Sequence, residues 1–217
     1  TSDLATSALQ KALDSSGVKP TELDGIIIAT TTPDMVFPAT AVKVQKNIGM
    51  KNGFAFDIQA VCSGFLYALQ IADSFILQGK VKKIAVIGAD IMSKIVDWQD
   101  RNTCVLFGDG AGAIILKAAE GKLNKGIVAT EIFSDGALMD VLTASGGLFD
   151  KENKQKIVMN GREVFKNAVA KMGESIEKII NDNGKNIDDI DFLLLHQANY
   201  RIIKELFPYV IPFVIEF

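Results

Sequence analysis

Cys62 and His196 are the residues with the most chemistry to offer. Cys62 stands in Ala60-Val-Cys-Ser-Gly64, just after a short strand-like run and at the start of an apolar helix. The free backbone N–H groups and the dipole of a first helical turn favour a thiolate there. Small neighbours, Ser63 and Gly64, leave room for a substrate. The alternative is a small buried core cysteine. His196 is the single histidine of the chain. It stands in Leu194-Leu-His-Gln-Ala-Asn199, where a buried strand ends and a helix begins. Ligands bind at the carboxyl ends of strands in α/β sheets. His196 and Asn199, three residues apart, can present donors to one pocket. The alternative is a satisfied core histidine. A thiol nucleophile needs a proton partner, so the presence of each residue strengthens the reading of the other. Cys104, within an apolar run, reads as core.

The elements that must position these residues alternate between helix and strand periodicity. Residues 2–16 form an amphipathic helix closed by Gly17. Residues 25–29 and 54–58 are short apolar strands. Residues 38–48 and 63–78 read as helices, the second apolar nearly all round and therefore central and buried. Strands are expected over 83–88, 103–107, 113–116, 126–133 and 192–195. Helices are expected over 161–183 and 198–206. In the tail, 206–217, two prolines argue against a helix. Strands separated by helices give an α/β fold with mostly parallel pairing.

Two stretches superpose without a gap. Lys11-Ala-Leu-Asp-Ser-Ser-Gly17 leads to Leu23-Asp-Gly-Ile-Ile-Ile28, and Lys178-Ile-Ile-Asn-Asp-Asn-Gly184 leads to Ile190-Asp-Phe-Leu-Leu-Leu195. The order of helix, glycine, acidic turn and strand thus recurs, which points to two similar halves, 1–118 and 124–217. Coincidence is the alternative, because helix–glycine–strand is common.

The 217 residues are 48% hydrophobic and 23% charged, values of a globular protein and not of a disordered tail. With 23 basic and 26 acidic residues the net charge is −3. A nucleic-acid partner is not expected, since no basic excess exists to neutralise phosphates. Two cysteines and one histidine exclude a disulfide framework and a multi-histidine metal site, so no metal is expected. The apolar runs are too short for a membrane span, and Thr1-Ser2-Asp3 does not open a signal peptide. A cytoplasmic location is expected. The first helix begins at residue 2 and the apolar tail resembles no regular terminus, so a fragment or truncated product is expected.

Phe107-Gly-Asp-Gly-Ala-Gly-Ala113 imitates a dinucleotide loop. That motif must open a helix, and here an apolar strand follows, so a tight glycine turn is expected instead. Asn181-Asp-Asn-Gly-Lys185 fails the ligand spacing of a calcium loop.

Together Ala60–Gly64, Asp100-Arg-Asn-Thr103, Phe107–Ala113 and His196-Gln-Ala-Asn199 followed by Arg201-Ile-Ile203 resemble beta-ketoacyl-[acyl-carrier-protein] synthase III, of the thiolase-like superfamily. The resemblance runs from about residue 2 to about residue 206. It implies an α/β thiolase-like fold of duplicated halves in five layers, αβαβα, with an incomplete second half. It also implies a condensing enzyme that starts fatty acid synthesis. In that reading acyl-CoA acylates Cys62, CoA leaves, malonyl-carrier protein loses carbon dioxide, and the carbanion attacks the acyl-enzyme. A developing enolate oxygen needs preorganised donors. His196 would be one of them.

The resemblance further implies that Arg101 contacts CoA, and that Met159, Gly161, Phe165, Ala168, Ala198 and Asn199 line the pantetheine channel. Arg162 stands where the family has an asparagine. Phe37 matches a residue that reaches into the partner subunit's acyl pocket, implying a homodimer. Lys166 and Arg201 match docking positions for an acidic carrier protein. Acyl-CoA is then a substrate, and no cofactor is implied. The family's second catalytic asparagine lies in a Gly-Asn-Thr-Ser segment that this sequence lacks. Two other readings follow from that: a non-catalytic remnant or dimerisation partner, and a thioester transferase or hydrolase without condensation.

Overall fold

A computed structural model describes residues 1–119, 126–146 and 156–210, with 207–210 as backbone alone. The chain divides into two compact units, Thr1–Lys94 with Gly108–Ile132, and Ile95–Phe107 with Phe133–Phe217.

The first unit is built on a sheet of four strands: β1 (Gly25–Ala29), β2 (Phe54–Ile58), β3 (Lys83–Ile91) and β4 (Asp109–Lys117). Their order is β2-β1-β3-β4. The pairs β1–β2 and β1–β3 are parallel, with Ala29 opposite Ile58 on one side and Gly88 on the other. The pair β3–β4 is antiparallel. Every residue of β1 is buried because both faces of the sheet are covered. Side chains alternate between the faces. Ile26 and Ile28 join Leu9, Leu13 and Val44 of helices α1 (Ser2–Ser16) and α2 (Thr40–Ile48). Ile27 and Ala29 join Ala68 and Ala72 of helix α3 (Gly64–Leu77). Each fully buried isoleucine contributes about 1.5–3 kcal/mol, so β1 is the energetic centre of this unit.

Polar ties fix the strand ends. One Asp24 carboxylate oxygen accepts the N–H groups of Lys82 (2.7 Å) and Lys83 (3.0 Å), seating the start of β3. The Asp57 carboxylate accepts those of Thr40 (2.6 Å) and Ala41 (2.8 Å), capping α2 from a neighbouring strand.

In the second unit β5 (Leu142–Ala144) and β6 (Ile157–Met159) form an antiparallel pair. Helix α4 (Gly161–Asp182) packs on α5 (Tyr200–Val210). Asn160 caps α4 by accepting from Glu163 N (3.3 Å). The N–H of Ile157 donates to Ile95 O (2.9 Å), and Lys156 pairs with Asp97 (2.6 Å), so the 95–107 stretch is held within this unit.

Several expectations from the sequence need correction. Residues 103–107 form a turn and not a strand. The Asp100 carboxylate accepts from Asn102 N and from the Thr103 hydroxyl (3.0 and 2.8 Å), and such local bonds compete with a ladder. The glycine segment after Phe107 is no tight turn: Gly110 and Gly112 lie inside β4, opposite Asp90 and Gly88. Residues 126–133 and 192–195 carry strand-like sequence but join no ladder among the described residues, and Val128, Phe192 and Leu194 are exposed. Helix α3 is not buried all round. Gly64, Ala68 and Ala72 face the sheet, whereas Leu66 and Leu77 are exposed. Helix α5 runs over Pro208 to Val210, since a proline in a last turn removes only one donor. The rest of the tail, 211–217, lies outside the described residues, as does 120–125, where the expected junction of the halves falls.

The local geometry of the proposed repeat recurs at a constant spacing of 167 positions. Gly17 and Gly184 both follow a helix in the left-handed conformation, at φ +67° and +62°. A short 3₁₀ turn comes next in each case, Pro20–Glu22 and Ile187–Asp189. Its carboxylate reaches back to the N–H before the turn, Glu22 to Lys19 (2.9 Å) and Asp189 to Asn186 (2.8 Å). The two stretches then part: 25–29 is a central strand, and 192–195 finds no ladder.

Candidate functional site

Three parallel strands end at the same side of the first unit, and Cys62 lies there. It follows β2 by four residues, in the single-turn 3₁₀ helix Val61–Ser63 that leads into α3. Val61, directly before it, has φ +47°, a region a β-branched residue enters only when its surroundings hold it there. The surroundings are close. A Cβ on Gly64 would meet Ala29 Cβ at 3.0 Å, and one on Gly88 would meet the Phe65 ring at 3.5 Å. The start of α3 is therefore pressed onto the ends of β1 and β3, and the strained turn before it aims Cys62.

The electrostatics differ from the sequence expectation. Burial pushes the Cys62 thiol up from its ordinary value, against its own backbone N–H, which lowers it, and the negative Asp90 carboxylate raises it further. The residue keeps an exposed surface, yet the protein around it withdraws enough water to favour the neutral thiol. The helix start does not win, because the cysteine precedes α3 by a 3₁₀ turn and does not sit on its first residues.

Beside the turn lies a polar hub that the sequence reading missed. Asp90 Oδ1 accepts from Thr30 Oγ1 (3.2 Å), Thr31 N (2.7 Å), Thr32 N (3.1 Å) and Thr32 Oγ1 (3.0 Å). The signal was available: three consecutive threonines directly after a buried strand, at the end where ligands bind. Phe37, the other expected site residue of this unit, is exposed, as are Met35 and Val36 before it.

The remaining expected site residues belong to the second unit. His196 lies in an irregular stretch before α5 and keeps an exposed surface, yet the protein packed around it lowers its imidazole from the ordinary value by partial desolvation. A neutral ring at neutral pH follows. Ala198 is exposed in the same stretch. Asn199 Oδ1 accepts from Arg201 N (2.9 Å), so this side chain caps α5, and its amide nitrogen is the group left for other work. Arg201 is exposed on the first turn of α5. On α4, Phe165 and Ala168 are half-buried and Lys166 is exposed. Met159 ends β6 beside Gly161, where an added Cβ would lie 3.5 Å from the methionine Cε. Packing of α4 on α5 thus carries Gly161, Phe165, Lys166, Ala168 and Arg201 on one pair of helices, while Met159, Ala198 and Asn199 precede those helices in the chain. Arg101 is exposed in the turn shaped by Asp100. Among the described residues no cluster of side chains suited to a metal ion occurs, and no helix is long and apolar enough to cross a membrane.

Comparison with known proteins gives a consistent answer. The family model for 3-Oxoacyl-[acyl-carrier-protein (ACP)] synthase III matches residues 56–136, which include Cys62, Asp90 and Arg101. The beta-ketoacyl-[acyl-carrier-protein] synthase III of Ehrlichia canis is 55% identical over 204 residues, covering 94% of this chain and 64% of the relative. That of Paramagnetospirillum magneticum is 50% identical over 207 residues, with the same coverage. Among solved structures, the 3-oxoacyl-[acyl-carrier-protein] synthase III of Aquifex aeolicus superposes with a TM-score of 0.87 at 46% identity, over 95% of this chain and 64% of that one. The Pseudomonas aeruginosa enzyme superposes with a TM-score of 0.89 at 34% identity, over 96% and 64%. The chain thus spans a little less than two thirds of these relatives, and its fold is α/β and thiolase-like. Over nearly all of its own length the chain is thus similar to the beta-ketoacyl-[acyl-carrier-protein] synthase III proteins.

Proposed function

We propose that this chain carries the acyl-accepting thiol of a condensing enzyme that starts fatty acid synthesis. The observation that carries the proposal is the place of Cys62, on a strained turn at the common carboxyl end of three parallel strands. Cys62 attacks the thioester carbon of acetyl-CoA or another short acyl-CoA. The CoA thiolate leaves with a proton, and the acyl group stays on sulfur. Malonyl-carrier protein then loses carbon dioxide, its carbanion attacks the Cys62 thioester, and the cysteine thiolate departs from a 3-oxoacyl-carrier protein.

A thiol held neutral by burial needs a proton acceptor, and a neutral imidazole is a suitable partner. In this reading His196 N–H also stabilises the enolate formed on decarboxylation. Arg101 contacts CoA. Met159, Gly161, Phe165, Ala168, Ala198 and Asn199 line the pantetheine channel, with Arg162 changing one contact. Lys166 and Arg201 receive the acidic carrier protein, and Phe37 enters the acyl pocket of a second subunit in a cytoplasmic homodimer. The repeated turns at Gly17 and Gly184 support a duplicated architecture, with halves at 1–118 and 124–217. Acyl-CoA is substrate and no cofactor takes part.

Incubation with acetyl-CoA and malonyl-carrier protein tests the reading. Release of CoA and carbon dioxide with formation of acetoacetyl-carrier protein is the expected result. Acylation of the protein without that product assigns a transferase or hydrolase, and an absence of acylation overturns the proposal.

A further inference from the structure

The carboxylate of Asp90 has a role that neither the fold nor the family reading assigns. Asp90 is the eighth residue of β3, two beyond Gly88, which pairs with Ala29. The chain leaves β1 at Thr30, whose N–H donates to Ile58 O of β2 (3.1 Å). Thr30, Thr31 and Thr32 then close over the end of β3 and direct four donors at a single oxygen, Asp90 Oδ1. Thr32 Oγ1 in turn accepts from Ile91 N (2.8 Å), and Thr30 Oγ1 accepts from Thr32 N (3.1 Å). The threonine strap, the carboxylate and the Cys62 turn therefore share one end of the β2-β1-β3 array. Gly64 on Ala29 and Phe65 on Gly88 hold the turn against the same two strands.

We propose that Asp90 is a positioning residue for Cys62, acting through the strap that its Oδ1 gathers and through its negative charge at the same end of the sheet. The proposal rests on Cys62 being the acylated residue. Other charged groups of the unit are engaged or remote. Asp57 caps α2. Asp109 accepts from Ser93 N (2.8 Å) and its hydroxyl (2.7 Å). Lys83 pairs with Glu22 at the opposite end of β3, the Thr1 ammonium beside Thr32 pairs with Asp34 (2.9 Å), Asp73 lies more than two turns along α3, and Lys94 closes the 3₁₀ turn after β3. Among the described residues, Asp90 is the charged neighbour that acts on the Cys62 thiol together with burial. Its function is to keep the resting thiol unreactive until an acyl donor and a proton acceptor are both in place.

The test is the pH profile of Cys62 alkylation by iodoacetamide, read on the Cys62 peptide by mass spectrometry so that Cys104 does not interfere. Asp90→Asn keeps an oxygen for the strap and removes the charge. Its profile is expected to move to lower pH by about half a unit, an increase of about threefold in rate below the midpoint. Asp90→Glu, which keeps the charge, is expected to restore the parent midpoint. A purely structural role would lower the melting temperature of Asp90→Asn without an acid shift, and an unchanged or alkaline-shifted profile overturns the proposal. The unmodified protein gives a second measurement that does not depend on folding of a variant. Raising salt from about 0.01 M to about 1 M cuts the screening length from about 30 Å to about 3 Å, and should move the Cys62 profile to lower pH. A salt-independent profile contradicts the role of the charge. Alkylation requires no acyl donor, so these results stand apart from success or failure of acyl transfer.

Discussion

Thr32 and Asp90 are joined twice, Asp90 Oδ1 accepting from both the backbone N–H and the hydroxyl of Thr32 at 3.1 and 3.0 Å. The same hydroxyl accepts from Ile91 N at 2.8 Å. Thr32 is buried, so loss of that oxygen leaves the Ile91 donor without its partner. Thr32→Val is expected to destabilise the protein by about 1–3 kcal/mol, and Thr32→Ser to recover most of it. Chemical denaturation of the three proteins checks this. Equal stability of Thr32→Val and the parent would show that the strap carries no energy.

Gly53 and Gly17 both have positive φ, yet their environments differ. At Gly17 an added Cβ meets nothing within 4 Å, whereas at Gly53 it would lie 2.2 Å from Asp24 O. Gly17→Ala should therefore cost only the backbone term, about 1 kcal/mol. Gly53→Ala should cost at least twice as much, because backbone must shift where Asp24 also anchors β3. Melting temperatures of the two variants compare them directly, and a reversed order would contradict the packing described at β1 and β2.

The two reactive groups titrate in opposite senses. His196 has its folded value lowered from 6.5 by burial, so its neutral state carries stability that is full above 6.5 and is lost as pH falls below it. Cys62 has its value raised from 9.0 by burial, so its contribution is full below 9.0 and is lost as pH rises above it. The single histidine gives a single imidazole signal in NMR, expected to titrate with a midpoint below 6.5. A midpoint above 6.5 would mean a cationic ring and would remove its part as proton acceptor.

Much of this was legible in the sequence because it is encoded locally. Helices α1, α2 and α4 and strands β1 and β2 lie where periodicity puts them, within two residues at each end. The matching turns at Gly17 and Gly184 could be read because a left-handed residue after a helix strongly favours glycine. What failed depends on neighbours. Residues 126–133 and 192–195 have strand composition, but a strand exists only where another strand pairs with it. Helix α3 is apolar beyond the face that the sheet covers, and composition cannot say which faces are covered. The basicity of Cys62 was misjudged because position at a helix start is visible in sequence, while burial and Asp90, 28 residues away, are not. Val61 gave no signal either, since nothing in a valine announces positive φ.

The proposed chemistry requires Cys62 to be the residue that takes the acyl group. Incubation of the protein with acetyl-CoA, followed by digestion and mass spectrometry of the Cys62 and Cys104 peptides, tests this directly. One acetyl group on the Cys62 peptide, absent from Cys62→Ala and still present in Cys104→Ala, is the predicted result. An acetyl group that persists in Cys62→Ala, or that maps to Cys104, would contradict it.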